Sequence, residues 1–247
     1  MDDLLNVEKI ESSYDNSRVL FGITIRIGVG EMVTLLGRNG MGKTSTIRSI
    51  MGLLKPHSGE IYFKGKAVTG YPSYKVAQEG IGLVPEGRQI FPNLSVVENL
   101  VATEANRLSK RDPWSVGKVF ELFPALKDRK NHMGNQLSGG EQQMLAISRA
   151  LMTNPELLIL DEATDCLAHL IRAEIWKVFE TLKSKKQSIL VIDKNIDALS
   201  RIADRHYIIE KGLVAWSGTS KELSENKELQ ELSLIHISEP TRRYAIS

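Results

Sequence analysis

Eight residues near the start of the chain combine glycines, a lysine and a hydroxyl group at a spacing suited to phosphate. They form the segment 37–44, G-R-N-G-M-G-K-T, which matches the pattern G-x-x-x-x-G-K-[ST]. Glycines let the backbone turn tightly so that several N–H groups face one anion, and the helix that follows adds positive potential. We predict that the phosphates of a nucleotide bind here. The residues expected to hold them are Gly37, Arg38, Asn39, Gly40, Met41, Gly42, Lys43, Thr44 and Ser45.

The last two residues of the pattern have different expected tasks. The Lys43 ammonium would reach the β- and γ-phosphates, and the Thr44 hydroxyl would bind Mg²⁺. The segment by itself leaves the reaction open, because kinases, GTPases, helicases and transport ATPases share it.

Two adjacent carboxylates follow an apolar run later in the chain. Asp161 and Glu162 come directly after the segment 157–160, L-L-I-L. A carboxylate at the carboxyl end of a buried parallel strand lies at the edge where such sheets bind their ligands. We predict that Asp161 holds Mg²⁺, commonly through water, and that Glu162 polarises a water for in-line attack on the γ-phosphate. The second carboxylate favours hydrolysis over simple nucleotide binding.

A second glycine-rich segment, L-S-G-G-E-Q-Q at 137–143, precedes these carboxylates and opens a predicted helix. It combines a serine hydroxyl, two glycine N–H groups and a helix N-terminus, each of which attracts an anion. The segment therefore predicts a second anion site, whose expected residues are Ser138, Gly139, Gly140 and Glu141.

These candidate residues fall between elements that read as strands and helices in alternation. One segment alternates apolar and polar residues, as a half-buried strand does, and four are continuous apolar runs typical of strands buried on both faces. Strands that alternate with helices predict an α/β fold with a largely parallel sheet covered on both faces. The predicted strands are 23–29, 32–36, 81–84, 157–160 and 189–192, and the predicted helices are 44–53, 141–152 and 173–182.

The middle of the chain differs, because 95–135 shows helical patterns without apolar strands. Ser95 and Glu98 form a capping box at the start of one helix, and Pro124 is expected to close another after Phe123. We interpret this stretch as a helical lobe inserted into the α/β body. No internal repeat is found in the sequence.

Composition bounds the remaining possibilities. The chain has 247 residues, of which 42% are hydrophobic and 25% charged, as in globular proteins. A net charge of +2 is too balanced to predict a nucleic-acid or anionic-membrane partner, and the lone Cys166 excludes an intrachain disulfide. The acidic N-terminus and the absence of an apolar run of about 18 residues predict a cytoplasmic, soluble chain whose membrane role would come through a partner.

Taken in order, the segments 37–44, 137–143 and 157–162 resemble the ATP-binding cassette (ABC) family. The resemblance covers residues 4 to about 223. It implies an α/β P-loop NTPase with a mainly parallel sheet, an N-terminal antiparallel β portion and an inserted helical subdomain at about 95–152. It also implies a single ATP-binding domain over 4–231, with ATP and Mg²⁺ as ligands.

The same resemblance implies partners. Two cassettes are expected to bind head to tail, so that Ser138, Gly139 and Gly140 of one close on the γ-phosphate held by the other. Integral-membrane permease subunits would anchor the pair on the cytoplasmic face of the membrane, and a solute-binding protein would act indirectly. The second cassette is expected to be a non-identical chain.

Three further positions are carried over from the family. Tyr14 stands where an aromatic ring stacks on adenine, although an ordinary strand tyrosine fits as well. Glu86 stands where the family has a glutamine that contacts the metal, and its carboxylate also offers an oxygen to Mg²⁺. Lys194 stands where most members have a histidine that contacts the γ-phosphate; we expect a catalytic role for it, with a solvated surface lysine as the alternative.

The segments E-G-R at 86–88 and I-F-P at 90–92, together with the missing histidine, resemble the second ATPase subunit of branched-chain amino acid importers (the LivF type). A urea importer, a lipopolysaccharide exporter and a non-transport ABC ATPase remain alternatives. The last stretch, 232–247, has no recognisable period and resembles one translated reading frame of a sequencing adapter, so we predict that it is a non-native tail.

Overall fold

The computed structural model describes residues 3–165 and 167–225. In chain order the strands are β1 (Asp3–Tyr14), β2 (Ser17–Gly28), β3 (Met32–Leu36), β4 (Ser58–Phe63), β5 (Lys66–Ala67), β6 (Ile81–Val84), β7 (Leu157–Asp161), β8 (Ser188–Ile192), β9 (Arg205–Glu210) and β10 (Leu213–Gly218). The helices are α1 (Lys43–Ile50), α2 (Ser73–Gln78), α3 (Val96–Val101), α4 (Val116–Leu122), α5 (Pro124–Asp128), α6 (Gly139–Met152), α7 (His169–Ser184), α8 (Ile196–Ile202) and α9 (Ser220–Glu225). Cys166, residues 226–231 of the predicted domain and the predicted tail at 232–247 lie outside the described residues.

The central sheet has six strands in the order β10-β9-β3-β8-β7-β6. The five strands from β9 to β6 pair in parallel, and β10 is added antiparallel to β9. Every residue of β3, β7 and β8 is buried, as their continuous apolar sequences predict. The predicted parallel α/β sheet is therefore confirmed.

A second sheet, in the order β2-β1-β4-β5, is antiparallel throughout and forms the expected N-terminal β portion. Its strand β2 buries Ile23, Ile25 and Ile27 and leaves the residues between them more exposed. That alternation is the pattern from which the strand at 23–29 was predicted.

Between β6 and β7 the chain forms helices and one isolated bridge, Ser95–Met133. The capping box at the start of α3 is present: Ser95 Oγ accepts from Glu98 N, and Glu98 Oε2 accepts from Ser95 N at 2.7 Å. Helix α4 ends at Leu122, before Pro124 as predicted, and Pro124 itself begins α5. A proline suits that position because a first-turn N–H has no helical partner to lose.

Two apolar clusters lie on opposite faces of the central sheet. One packs the sheet against α1 and the antiparallel sheet, through residues such as Ile47 and Ile61. The other packs it against α6 and α7, through residues such as Leu145 and Phe179. The helices that follow the phosphate segment and the second glycine-rich segment are thereby fixed to the same sheet. Among the described residues, no helix combines the length and apolar character needed to cross a bilayer.

Candidate active site

The loop between β3 and α1 has the geometry of a phosphate cradle. Its backbone is left-handed at Gly37, Gly40 and Gly42, with φ of 132°, 77° and 108°. A Cβ at Gly37 would lie 2.3 Å from the backbone oxygen of Ile209 on β9, which no side chain tolerates. The predicted strand–loop–helix setting of 37–44 is therefore present, and its first glycine is required by both conformation and space.

The Lys43 side chain folds back into this loop. Its ammonium donates to the carbonyl oxygens of Gly37 at 2.8 Å and Arg38 at 3.0 Å. Burial lowers the pKa of Lys43, while the carboxylates of Glu162 and Asp161 oppose that shift. A buried ammonium beside backbone N–H groups provides the positive charge that a phosphate chain needs.

A cavity of about 280 Å³ brings separate parts of the chain together at this loop. The phosphate segment supplies most of its wall, Glu86 enters from the loop after β6, and Glu162 enters from the end of β7. Sequence reasoning missed Val19, a strand residue that only the fold brings here. The cavity is lined by Val19, Asn39, Gly40, Gly42, Lys43, Thr44, Ser45, Glu86 and Glu162.

The two principal metal candidates meet at the edge of this cavity. Thr44 Oγ1 donates to Asp161 Oδ1 at 3.4 Å, so the hydroxyl and the carboxylate face the same point. Burial, with smaller contributions from the nearby charges of Glu162 and Glu86, raises the pKa of Asp161 to about 6. Because the carboxylates of Asp161, Glu162 and Glu86 repel one another, a divalent cation bound between them would be stabilised by its attraction to all of them.

The donor set is compatible with Mg²⁺. Within residues 3–165 and 167–225, no group of three or more His, Cys, Asp and Glu side chains is placed to hold a metal by itself. Mg²⁺ is commonly held by one or two protein oxygens together with substrate phosphates, rather than by an all-protein cage. Thr44, Asp161 and the facing Glu86 provide oxygen donors of that kind.

Glu162 has an unusual backbone for a non-glycine residue. Its φ is 53°, in the left-handed region, and its N–H donates to the Ile192 carbonyl at 2.9 Å. Burial raises the pKa of the Glu162 carboxyl, and the Lys194 ammonium opposes the rise. A left-handed residue persists where its surroundings fix it, and here it aims the carboxylate into the cavity.

Lys194 lies at the carboxyl end of β8, beside Glu162. Its Nζ is 2.8 Å from Asp165 Oδ2 and 3.7 Å from Glu162 Oε2. The neighbouring Asp193 accepts from both the N–H and the hydroxyl of Thr164. Sequence reasoning missed Asp165 and Asp193. Asp193 directly follows a buried parallel strand, as Asp161 ends one, and that shared position was a usable signal.

Tyr14, the adenine candidate, ends β1 and is not part of the cavity wall. Its side chain is 38% exposed, and its hydroxyl accepts from Arg48 Nη1 at 3.4 Å. A ring so exposed is accessible to a ligand; its stacking on adenine stays a prediction.

The second glycine-rich segment begins α6, away from the cavity wall. Ser138 caps the helix, accepting from Glu141 N at 3.3 Å, and Glu141 Oε2 accepts from Ser138 N at 2.7 Å. Gly140 has no room for a side chain, since a Cβ there would lie 2.6 Å from Ile171 Cγ2. Ser138 is exposed and Gly140 is buried, and neither is part of the cavity wall, so the second anion site expected at this segment stays a prediction.

Similar proteins identify the family to which this nucleotide site belongs. The family model described as ABC transporter matches residues 20–165, more than half of the chain. The chain belongs to the ABC transporter family. The match begins within β2 and ends just after Glu162, so it includes the phosphate loop, the second glycine-rich segment and both carboxylates.

Individual ABC proteins match over nearly their whole lengths. The high-affinity branched-chain amino acid transport ATP-binding protein BraG of Pseudomonas aeruginosa is 35% identical, over 94% of this chain and 99% of BraG. The lipopolysaccharide export system ATP-binding protein LptB of Haemophilus influenzae is 29% identical, over 94% of this chain and 97% of LptB.

A solved ABC structure confirms the architecture. The ADP conformation of MJ1267, an ATP-binding cassette of an ABC transporter, superposes with a TM-score of 0.80 at 26% identity, covering 94% of this chain and 98% of that one. The chain is thus an ATP-binding cassette of the P-loop NTPase fold, with ATPase activity coupled to transport. Cassettes of this family dimerise and work with membrane permease subunits.

Proposed function

We propose that this cassette hydrolyses ATP to energise an importer of branched-chain amino acids. The observation that supports the solute class is the 35% identity to BraG over 94% of this chain and 99% of BraG. The ABC fold alone would leave the solute open, since other subunits select it. Permease subunits would hold the cassette on the cytoplasmic face of the membrane, next to a second, non-identical cassette, and a solute-binding protein would deliver the amino acid.

The candidate site residues have distinct roles in this proposal. The N–H groups of 37–42 and the Lys43 ammonium bind the β- and γ-phosphates, and the Tyr14 ring stacks on adenine. Thr44 and Asp161, with Glu86 opposite, would hold Mg²⁺, which when bound neutralises charge that develops on the phosphate oxygens. Glu162 accepts a hydrogen bond from the attacking water and orients it in line with the γ-phosphate.

Two further sets of residues act around the γ-phosphate. Lys194 stabilises the Glu162 carboxylate, with its ammonium 3.7 Å away. Ser138, Gly139, Gly140 and the Glu141 that caps with them serve the nucleotide of the partner cassette, because they begin α6 outside this chain's own cavity.

Uptake by cells tests the solute class. Cells that carry this gene with its chromosomal neighbours would be given labelled leucine or labelled urea. We expect leucine uptake to rise above that of cells carrying the neighbours alone, and the rise to disappear with Glu162→Gln. Urea uptake without leucine uptake would assign the cassette to a urea importer instead.

Lipopolysaccharide export is the second candidate, and the 29% identity to LptB favours it. The two relatives predict opposite directions of transport, so the same cells distinguish them. Surface lipopolysaccharide that depends on this gene, in cells whose leucine uptake is unchanged, would contradict the importer proposal.

A further inference from the structure

A buried carboxylate joins the turn that carries Glu162 to the turn that carries Lys194. Asp193 directly follows β8 and is only 8% exposed. Its Oδ2 accepts from the N–H of Thr164 at 3.1 Å and also from the Thr164 hydroxyl. Its Oδ1 accepts from Asn195 N at 2.9 Å. The two oxygens of one side chain therefore hold two different segments of the chain.

The Thr164 side of this contact is a tight turn. Asp165 N donates to the Glu162 carbonyl at 3.2 Å, which closes a four-residue turn with Thr164 in its third position. Glu162 N donates to the Ile192 carbonyl, the last of β8. Thr164 is 1% exposed, so water does not compete with Asp193 for its hydroxyl. The turn is thus attached to the end of β8 twice, by the Glu162 backbone and by the Thr164 side chain.

These attachments bear on the two charged groups that meet at the cavity. Glu162 is left-handed, with φ of 53°, and a residue other than glycine keeps that conformation only where its surroundings fix it. Lys194, whose ammonium lies 3.7 Å from the Glu162 carboxylate, stands between Asp193 and Asn195 in the chain. Asp193 therefore fixes the backbone of both groups relative to each other.

We propose that Asp193 is a positioning residue that orients the Glu162 carboxylate by holding Thr164. The proposal rests on the proposed function, in which Glu162 orients the attacking water. Asp193 is not part of the cavity wall, so its effect falls on the rate of hydrolysis and not on the affinity for ATP. Such an effect is large, because misplacing a reacting group by about 1 Å can cost on the order of a hundredfold in rate.

Removal of one hydroxyl group tests the proposal. Thr164→Val keeps the shape of the side chain but leaves only the backbone N–H to bind Asp193. We expect kcat for ATP hydrolysis by the full chain to fall roughly tenfold or more, while KM and the affinity for ATP change little. Thr164→Ser retains the hydroxyl and should recover most of the rate. Thr34→Val removes another buried threonine hydroxyl, which contacts His206, and should keep the wild-type kcat.

Asp193→Asn provides a second variant. Its amide presents an NH₂ group where one of three donors needs an acceptor, so kcat should fall as in Thr164→Val. The double variant should lose no more than the larger single loss, because both substitutions break one contact. Thr164→Val should also leave the residual rate of Glu162→Gln unchanged, since Thr164 acts only through Glu162.

The outcomes separate this role from the proposed function. A wild-type kcat in Thr164→Val, with or without a lower free energy of unfolding, overturns the positioning role and leaves the proposed function standing. A further loss of rate when Thr164→Val is added to Glu162→Gln assigns Thr164 a general structural role, and it overturns the proposal as well. A wild-type rate in Glu162→Gln overturns both.

Discussion

Lys194 and Asp165 form an ion pair, with 2.8 Å between Nζ and Oδ2. The pair lies just beyond the carboxyl end of β8, on the side of the sheet where the nucleotide cavity is. Glu162 lies on the other side of the same ammonium, at 3.7 Å. The positive charge opposes the rise in pKa that burial imposes on the Glu162 carboxyl. Lysine at this position thus favours the ionised form of the Glu162 carboxyl, which an uncharged side chain would not do.

Replacing Lys194 by methionine should therefore slow hydrolysis. We expect phosphate release to fall on the order of tenfold or more, because the carboxylate that orients water loses both its counter-charge and its fixed position. ATP binding, measured with a fluorescent analogue, should change little. Lys118→Met breaks another lysine–carboxylate pair, with Asp112, on the helical lobe and serves as the control. A wild-type rate in Lys194→Met would return this residue to the class of surface lysines.

Replacing Glu162 by glutamine should separate binding from turnover. The amide keeps the shape of the side chain but cannot accept the proton of the attacking water, so phosphate release should fall about 10²–10⁴-fold. ATP affinity should be retained, and cassette dimers should accumulate with ATP in size-exclusion chromatography when the partner cassette is present. Undiminished turnover would show that another group is the base. Glu174→Gln, on α7 and outside the cavity wall, is a matched control.

Gly37 and Gly40 offer a matched pair for testing the phosphate loop. Both are left-handed, but a Cβ at Gly37 would collide with the Ile209 carbonyl while a Cβ at Gly40 meets nothing within 4 Å. Gly37→Ala should lower the free energy of unfolding by roughly 2–5 kcal/mol, from strain plus collision, and Gly40→Ala by about 1–2 kcal/mol, from strain alone. Urea denaturation measures both values. Equal losses would mean that the collision is relieved by movement of β9.

The buried His206 should make the free energy of unfolding depend on pH. The ring is fully buried on β9, with Nδ1 2.7 Å from Thr34 Oγ1 and Nε2 2.8 Å from Ser220 Oγ. The Ser220 hydroxyl donates to the Ala203 carbonyl, so it accepts from Nε2, and Nδ1 accepts from Thr34. The neutral ring therefore satisfies both contacts. Burial lowers the pKa of His206 to about 4, against an opposing effect of the Asp204 charge.

The sign of this effect follows from where the proton binds. Above the unfolded value of 6.5 both states are neutral and the contribution is complete. Between 6.5 and about 4 only the unfolded chain takes up the proton, so stability falls as the pH falls through this window, by roughly 3–4 kcal/mol in all. Urea denaturation between pH 7.5 and 4.5 should show a shallower slope for His206→Gln than for wild type. Identical slopes would assign the pH dependence to other groups.

Patterning along the chain was sufficient for the buried strands and the motifs they position. Continuous apolar runs predicted β3, β6, β7 and β8 to within a residue. Such runs are a clear signal because a strand that is buried on both faces carries mostly apolar side chains on both. The edge strands β5 and β10 carry no such signal, since none of their residues is buried and they are ordered by pairing with a neighbouring strand.

Contacts that depend on the tertiary fold were not accessible in the same way. The Asp165–Lys194 pair joins residues 29 positions apart on two different strand ends, and Arg88 reaches Gln142 across 54 positions. No repeating pattern of neighbouring residues indicates that either pair will be in contact. Similarly, the two consecutive left-handed residues Arg88 and Gln89 violate ordinary backbone preference, so that propensity alone would have predicted another conformation there.

The order of the strands in the sheet differs from their order in the chain, and it is the sheet order that determines which site residues are neighbours. Four neighbouring parallel strands, β3, β8, β7 and β6, each end in a residue or loop of the site. Along this edge of the sheet the strands therefore contribute Thr44 (from the helix after β3), Lys194, Glu162 and Glu86 in that order. In the sheet, β8, the last of these four strands along the chain, lies next to β3, the first. An insertion in a loop at the opposite edge of the sheet would lengthen the polypeptide without moving this row of residues.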